Sequence, residues 1–183
     1  MPESSILLSP APYHIISYGT LLGTTFFHSF VNGFVQFRVL TRPQFSAVQT
    51  KIFPIYFSMQ SVIPAILILT FPGTSRTLGN LTGVAGVLDP SNRWSALAPL
   101  ATMLGTGLVN LLVLLPATQR VMAARRDQEK KDGKKSWDPP PHSQEMAALN
   151  KNFGKLHGIS SLLNLSNFIA ALIYGVTLSA RLL

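Results

Sequence analysis

Four stretches of this chain, residues 12–37, 52–71, 94–115 and 159–180, run for twenty residues or more without a single Asp, Glu, Lys or Arg. An α-helix rises 1.5 Å per residue, so about 20 residues cross a hydrocarbon layer ~30 Å thick. Only 12% of the 183 residues are charged, against roughly 25% in soluble domains. The chain therefore reads as an all-α integral membrane bundle of four transmembrane helices in one domain. "PG" closes the second stretch, and Pro64 within it predicts a kink that neighbouring helices would tolerate in lipid. The segment 72–93, rich in Gly, Ser and Asn, reads as irregular. Residues 117–158 form the long hydrophilic loop. Its first half, "ATQRVMAARRDQEKK", extends the third helix into water, and "DGKKSWDPPPH" stops it.

The charges that remain are unevenly placed. Nine of the fifteen Lys and Arg fall between Arg120 and Lys155, and Arg38, Arg42 and Lys51 flank the first loop, 38–51. With four crossings, these twelve lie on one side, and Arg76, Arg93 and Arg181 lie on the other. The positive-inside rule then sets the 117–158 loop in the cytoplasm and both termini opposite, in an endomembrane or the plasma membrane. A pI near 10.2 would suggest nucleic acid in a soluble chain. Beside apolar spans, the expected counter-charge is anionic lipid headgroups, with no nucleic acid. The chain has no cysteine, which excludes thiol chemistry and Cys-based metal sites. The acidic Glu3 and the lack of a basic n-region argue against a cleaved signal peptide.

Polar residues inside the spans form stripes. Thr25, Ser29, Asn32 and Gln36 repeat at helical spacing in the first and Thr106 and Asn110 in the third, while Ser161 and Asn164 in the last share a face with His157 at its mouth and with Phe168. Counted from the loop side, Asn32, Asn110 and Asn164 lie at one depth, ~10 Å inside the boundary. Together with Gln36, His157 and Ser161 they are expected to form one polar cluster. Two readings stand: interhelical hydrogen bonding in a medium without water, or a ligand or ion site. His157 beside Ser160 and Ser161 also suggests a nucleophile and base. The nearest acid, Glu145, is too remote in sequence to orient the imidazole, so the expectation is no enzyme. No P-loop, dinucleotide fingerprint or intramembrane carboxylate appears, and no cofactor is implied. Gly19 and Gly23 form a GxxxG that allows close helix approach, within the bundle or in a homodimer with a second copy. Gly154 and Gly158 repeat the spacing at a helix mouth. Asn80 in "NLT" is a glycosylation sequon on the non-cytoplasmic side.

Two blocks carry a resemblance. "VNGFVQFRVLTRPQFSAVQTKIFPIYF" (31–57) matches at Gly33, Phe34, Phe37, Arg38, Gln49, Lys51, Pro54 and Tyr56. "NFGKLHGISSLLNL" (152–165) matches at Asn152, Phe153, His157, Gly158, Ser160, Ser161 and Asn164. Both are similar to the transmembrane protein 205-like family of four-span eukaryotic membrane proteins. That family often has an acid before the proline ending its third span, where this chain has Leu115 before Pro116. The resemblance implies a multipass membrane protein without an assigned reaction, with relatives associated with drug resistance and vesicle traffic. It gathers Arg38, Gln49, Lys51 and His157 at the cytoplasmic face, either as contacts for an anionic headgroup or as snorkelling anchors. The leading expectation is a non-enzymatic protein acting through lipid or protein contacts there. The alternative is a small-solute or lipid transporter using the polar cluster.

Overall fold

A computed structural model describes residues 9–72 and 81–182, with side chains through residue 180. Asn80 and Arg76 lie outside the described residues, as does the side chain of Arg181. Four long helices and one short one make up the fold, and no strand occurs among the described residues. Helix α1 runs through Pro10–Phe26, a π-helical segment at Phe27–Asn32, and Gly33–Val39. Helix α2 is Arg42–Leu69 and the short α3 is Gly83–Leu88. Helix α4 starts with a π turn at Arg93–Leu97 and continues through Ala98–Val109. It widens again into a π segment at Asn110–Leu114, then ends with Leu115–Asp132. Helix α5 is Gln144–Leu182.

Three helices are long and apolar enough to cross a membrane: α2, α4 with the 3₁₀ turn before it, and α5. Helix α1 is long enough, but its Gly, Thr, Ser, His, Asn and Gln residues dilute its apolar character. The 38–51 segment expected as a loop is instead a two-residue turn, Leu40–Thr41, followed at once by α2. The reason is local. Thr41 donates its N–H and its hydroxyl to Gln44 Oε1 at 3.1 and 2.8 Å, and Pro43 sits in the first helical turn, where it has no amide to waste. Pro54 and Pro64 both remain inside the helix. The irregular 72–93 segment contains α3 and a 3₁₀ turn at Pro90–Asn92, which Asp89 caps by accepting from Ser91 N–H.

The long helices pack in a ring, α1 against α2 and α5, and α4 against α2 and α5. Packing along the ring is uneven. Leu21, Leu67, Phe71, Val87, Ala96, Leu100, Met103, Ala171 and Tyr174 form a dense apolar core toward the end that holds α3. The opposite half buries amides and hydroxyls, Gln49, Tyr56, Gln60, Asn110 and Asn167, alongside Phe57 and Leu114. Between the two halves α2 and α4 approach most closely. A Cβ placed on Gly107 would overlap the backbone carbonyl of Gln60. Neither glycine of the Gly19/Gly23 pair, nor Gly154 or Gly158, has a neighbour within 4 Å of such a position, so none mediates packing inside the chain.

The 117–158 segment is not a flexible loop. Helices α4 and α5 continue past the apolar stretches, for about 60 Å each at 1.5 Å per residue, and close an antiparallel hairpin. Gly133, at φ +62°, ends α4 in the left-handed conformation that suits glycine. The turn contains a cis Pro140–Pro141 bond. Gly107→Ala is expected to lower the thermal midpoint of detergent-solubilised protein, consistent with an overpacking cost of about 1–3 kcal/mol. Gly105→Ala, where nothing lies within 4 Å, should leave it unchanged. Equal midpoints for the two variants would contradict the close approach.

Candidate functional site: polar clusters between the helices

The single six-residue cluster expected from sequence separates into two, each at a π segment. Where a helix widens by one residue, the following side chains turn to a different face, and such bulges are frequent at functional sites. On α4 the segment begins at Asn110, which is fully buried. Its Nδ2 donates to Asn164 Oδ1 at 3.3 Å, and its Oδ1 accepts from the Ser160 hydroxyl at 2.8 Å. One turn further toward the core, Asn167, also fully buried, donates to Met103 O and Thr106 Oγ1 at 2.9 and 3.0 Å. With Thr177, whose hydroxyl donates to Ser95 O at 2.7 Å nearer the α3 end, four α5 residues bind α4 by side-chain hydrogen bonds.

The second cluster joins α1 to α2. Gln49 Nε2 donates to Gln36 Oε1 at 2.9 Å, and Gln36 Nε2 donates to Asn32 Oδ1 at 2.6 Å. Asn32 Nδ2 then meets His28 Nδ1 at 3.1 Å. The imidazole is clamped by rings, 4.2 Å from Tyr56 and edge-on to Phe53 at 5.2 Å between centroids. Tyr56 accepts from Gln60 Nε2 at 2.8 Å. Beside His28 a crevice of ≈ 280 Å³ opens between α1 and α2, lined by Thr24, Phe27, His28, Asn32, Ile52, Ile55, Tyr56 and Met59.

His157 and Ser161 belong to neither cluster. Both are exposed. The His157 ring lies parallel to Phe153 at 5.9 Å, and the Ser161 hydroxyl bonds back to His157 O at 2.9 Å. Their spacing does place them on the Asn164 face in an ideal helix, but α4 is met by Ser160, Asn164 and Asn167 instead. Arg38 and Lys51 are exposed, Gln49 is buried against α1, and Arg42 lies 3.8 Å over the Phe37 ring. A further buried group was missed from sequence. His14, fully buried near the α3 end, bonds Thr70 Oγ1 at 2.9 Å and the Tyr174 hydroxyl at 2.7 Å. A lone histidine near a helix start carries no pattern; only its distance in sequence from Tyr174, closed by the fold, makes it a junction.

At the hairpin tip Glu129 is the organising group. Its Oε1 accepts from Ser136 N–H at 3.1 Å and from the Ser136 hydroxyl at 2.6 Å, and Lys135 lies 3.6 Å from Oε2. Asn150 on α5 donates to Ser136 O at 3.0 Å, and Arg125 covers the Phe153 ring at 4.5 Å. Partial burial disfavours the Glu129 carboxylate, but the Ser136 hydrogen bonds and the Lys135 ammonium outweigh it. The group is held below its ordinary value. No group of three or more His, Cys, Asp or Glu residues suited to a metal ion occurs among the described residues.

These features define a class: an α-helical membrane protein whose helices are tied by buried amides and whose hydrophilic hairpin projects from one end. The chain belongs to the family described as "Domain of unknown function (DUF4149)", whose model matches residues 16–127. It is also 31% identical over 172 residues to "Xanthocillin biosynthesis cluster protein D" of Aspergillus fumigatus, covering 94% of this chain and 90% of that protein. No solved structure matches. The family match covers the α1–α2 cluster and the Asn110 side of the α4–α5 cluster, and ends before Ser160, Asn164 and Asn167.

Two outcomes are expected. Asn110→Leu removes bonds to Ser160 and Asn164 and should lower the thermal midpoint by an amount matching about 1–2 kcal/mol, whereas Ser161→Ala should not. A stable Asn110→Leu protein would remove the α4–α5 cluster from the account. The Glu129 shift also has a sign. Its folded value is depressed, so ionised Glu129 stabilises the closed tip above the ordinary carboxylate range, and that contribution disappears as pH falls through the folded value. Trp137 emission in a Trp94→Phe background should therefore shift on acidification. The same titration in Glu129→Gln would show that another group is responsible.

Proposed function

We propose that this is a four-span, multipass membrane protein without enzymatic activity, acting through lipid or protein contacts at the face that carries the hairpin. Helix α1 supplies the fourth span. Its polar residues are tolerable there because Gln36, Asn32 and His28 bond one another and α2, so few face lipid unpaired. The observation that carries the reading is the partition of charge. Twelve Lys and Arg belong to the hairpin and the α1–α2 turn, against three elsewhere in the sequence, and Arg38, Arg42, Lys51, Arg120 and Arg126 are all exposed. Such a collar suits the anionic headgroups of a cytoplasmic leaflet. In the notional Ser–His pair both side chains engage only their own helix, which favours the non-enzymatic reading. The likeness to the transmembrane protein 205-like family favours the same layout. A second reading, the handling of a small apolar solute, draws on the crevice beside His28. The relative named for a biosynthesis cluster is compatible with it.

The absence of cysteine allows a direct test. Single cysteines introduced at Lys131 and at Tyr13, exposed near the start of α1, should react with an impermeant maleimide from opposite sides of sealed vesicles. Native mass spectrometry should then show anionic lipid retained by wild type and reduced when Arg38, Arg42 and Lys51 are all changed to Gln. Labelling of both cysteines from one side would overturn the span count. Equal lipid retention would overturn the headgroup role.

A further inference from the structure

The α1–α2 hydrogen bonds have a direction. Gln49 donates to Gln36, and Gln36 donates to Asn32 Oδ1. With its oxygen so occupied, Asn32 is left to present its N–H₂ to His28 Nδ1. A neutral imidazole that accepts at Nδ1 carries its hydrogen on Nε2. No partner for Nε2 occurs among the described residues, and His28 lines the ≈ 280 Å³ crevice. The remaining wall is almost wholly apolar: Phe27, Ile52, Ile55 and Met59, with the Tyr56 ring. No Asp, Glu, Lys or Arg lines it.

We propose that this crevice is a binding site for a small, uncharged, largely apolar molecule bearing one hydrogen-bond acceptor, which His28 Nε2–H engages. The chemistry follows from the walls. A charged ligand would lose its hydration without a counter-charge, and a purely apolar one would leave the imidazole N–H unmatched, a loss of order 1 kcal/mol. His28 lies eleven residues before Val39, about 16 Å along α1 at 1.5 Å per residue. That depth is below the reach of headgroups, so the occupant enters from the hydrocarbon. The rings of Tyr56 and Phe53 hold the imidazole in place, and the Asn32 N–H₂ placed against Nδ1 goes with a hydrogen on Nε2. Lys51 of the basic collar adjoins Ile52 of the wall, but no charged side chain lines the crevice itself.

Benzophenone is a suitable probe: a compact diaryl ketone with one acceptor oxygen that inserts into nearby C–H bonds on irradiation. Full-length protein in lipid nanodiscs should show saturable labelling at Met59, Ile55 or Ile52, mapped by peptide mass spectrometry. His28→Phe, which keeps a ring but removes the donor, should weaken half-saturation about fivefold. Diphenylmethane, of the same shape without the acceptor, should compete correspondingly worse than unlabelled ketone. Ile55→Trp, at an exposed position on the rim, should abolish labelling while sparing His28, so a poorly folding His28 variant does not decide the matter alone. Labelling spread over outward residues such as Leu112 and Val176, or saturation unaffected by either variant, would overturn the site.

Discussion

An amide in hydrocarbon without a partner costs several kcal/mol, and half of this molecule is arranged around that penalty. Where α3 closes one end, helices meet mainly through Leu, Phe, Met and Tyr side chains, and the buried His14 joins Thr70 and Tyr174 among them. Toward the hairpin the interior carries Gln36, Gln49, Gln60, Asn110, Asn164 and Asn167. There the helix pairs meet in a register that gives each of those side chains at least one hydrogen bond, while the side-chain carbonyl oxygens of Gln49, Gln60 and Asn167 stay buried without a partner among the described residues. Asn110 reaches both Ser160 and Asn164 only because α4 and α5 are antiparallel at that exact offset. Individually such bonds in membranes average only about 0.6 kcal/mol. Their effect is to exclude alternatives, since a slip of one residue would strand several amides together.

The π segments are the geometric means to that end. The segment at Phe27–Asn32 turns His28 and Asn32 toward α2, and the one at Asn110–Leu114 begins at the residue that bonds α5. In both places the extra residue in the turn coincides with the change from apolar to polar packing. Close backbone contact at Gly107 and Gln60 sits at the same transition, so the polar half is anchored by a contact that admits no side chain.

Much of the architecture was legible from charge-free length. The helix continuing past residue 117, and its end at Asp132-Gly133, were readable because Gly and Pro act locally. The start of α2 was legible too, in Thr41, Pro43 and Gln44, but the hydropathy boundary at Ile52 drew attention away from it. The polar cluster was readable only as a depth. Ideal 3.6-residue periodicity places His157 and Ser161 beside Asn164. It cannot show which face α4 occupies, and π segments break the periodicity where the answer is decided. The pairings of His14 with Tyr174 and of Glu129 with Ser136 depend on tertiary closure or on a turn whose shape no simple pattern predicts. Helix α1 sits at the edge of legibility for a physical reason: its polar content is what makes it a partner for α2, and also what makes it a weak span.

The hairpin has a mechanical consequence. From Asn110 to Asp132 helix α4 is unbroken, about 33 Å at 1.5 Å per residue, and α5 is continuous from Gln144 through Ser160 and Asn164. Arg125 against Phe153 and Asn150 against Ser136 keep the two arms from sliding past one another. The water-exposed tip is therefore a stiff lever rather than a tether. Any displacement at Glu129 would have to run along both arms to reach the level where Asn110 meets Ser160.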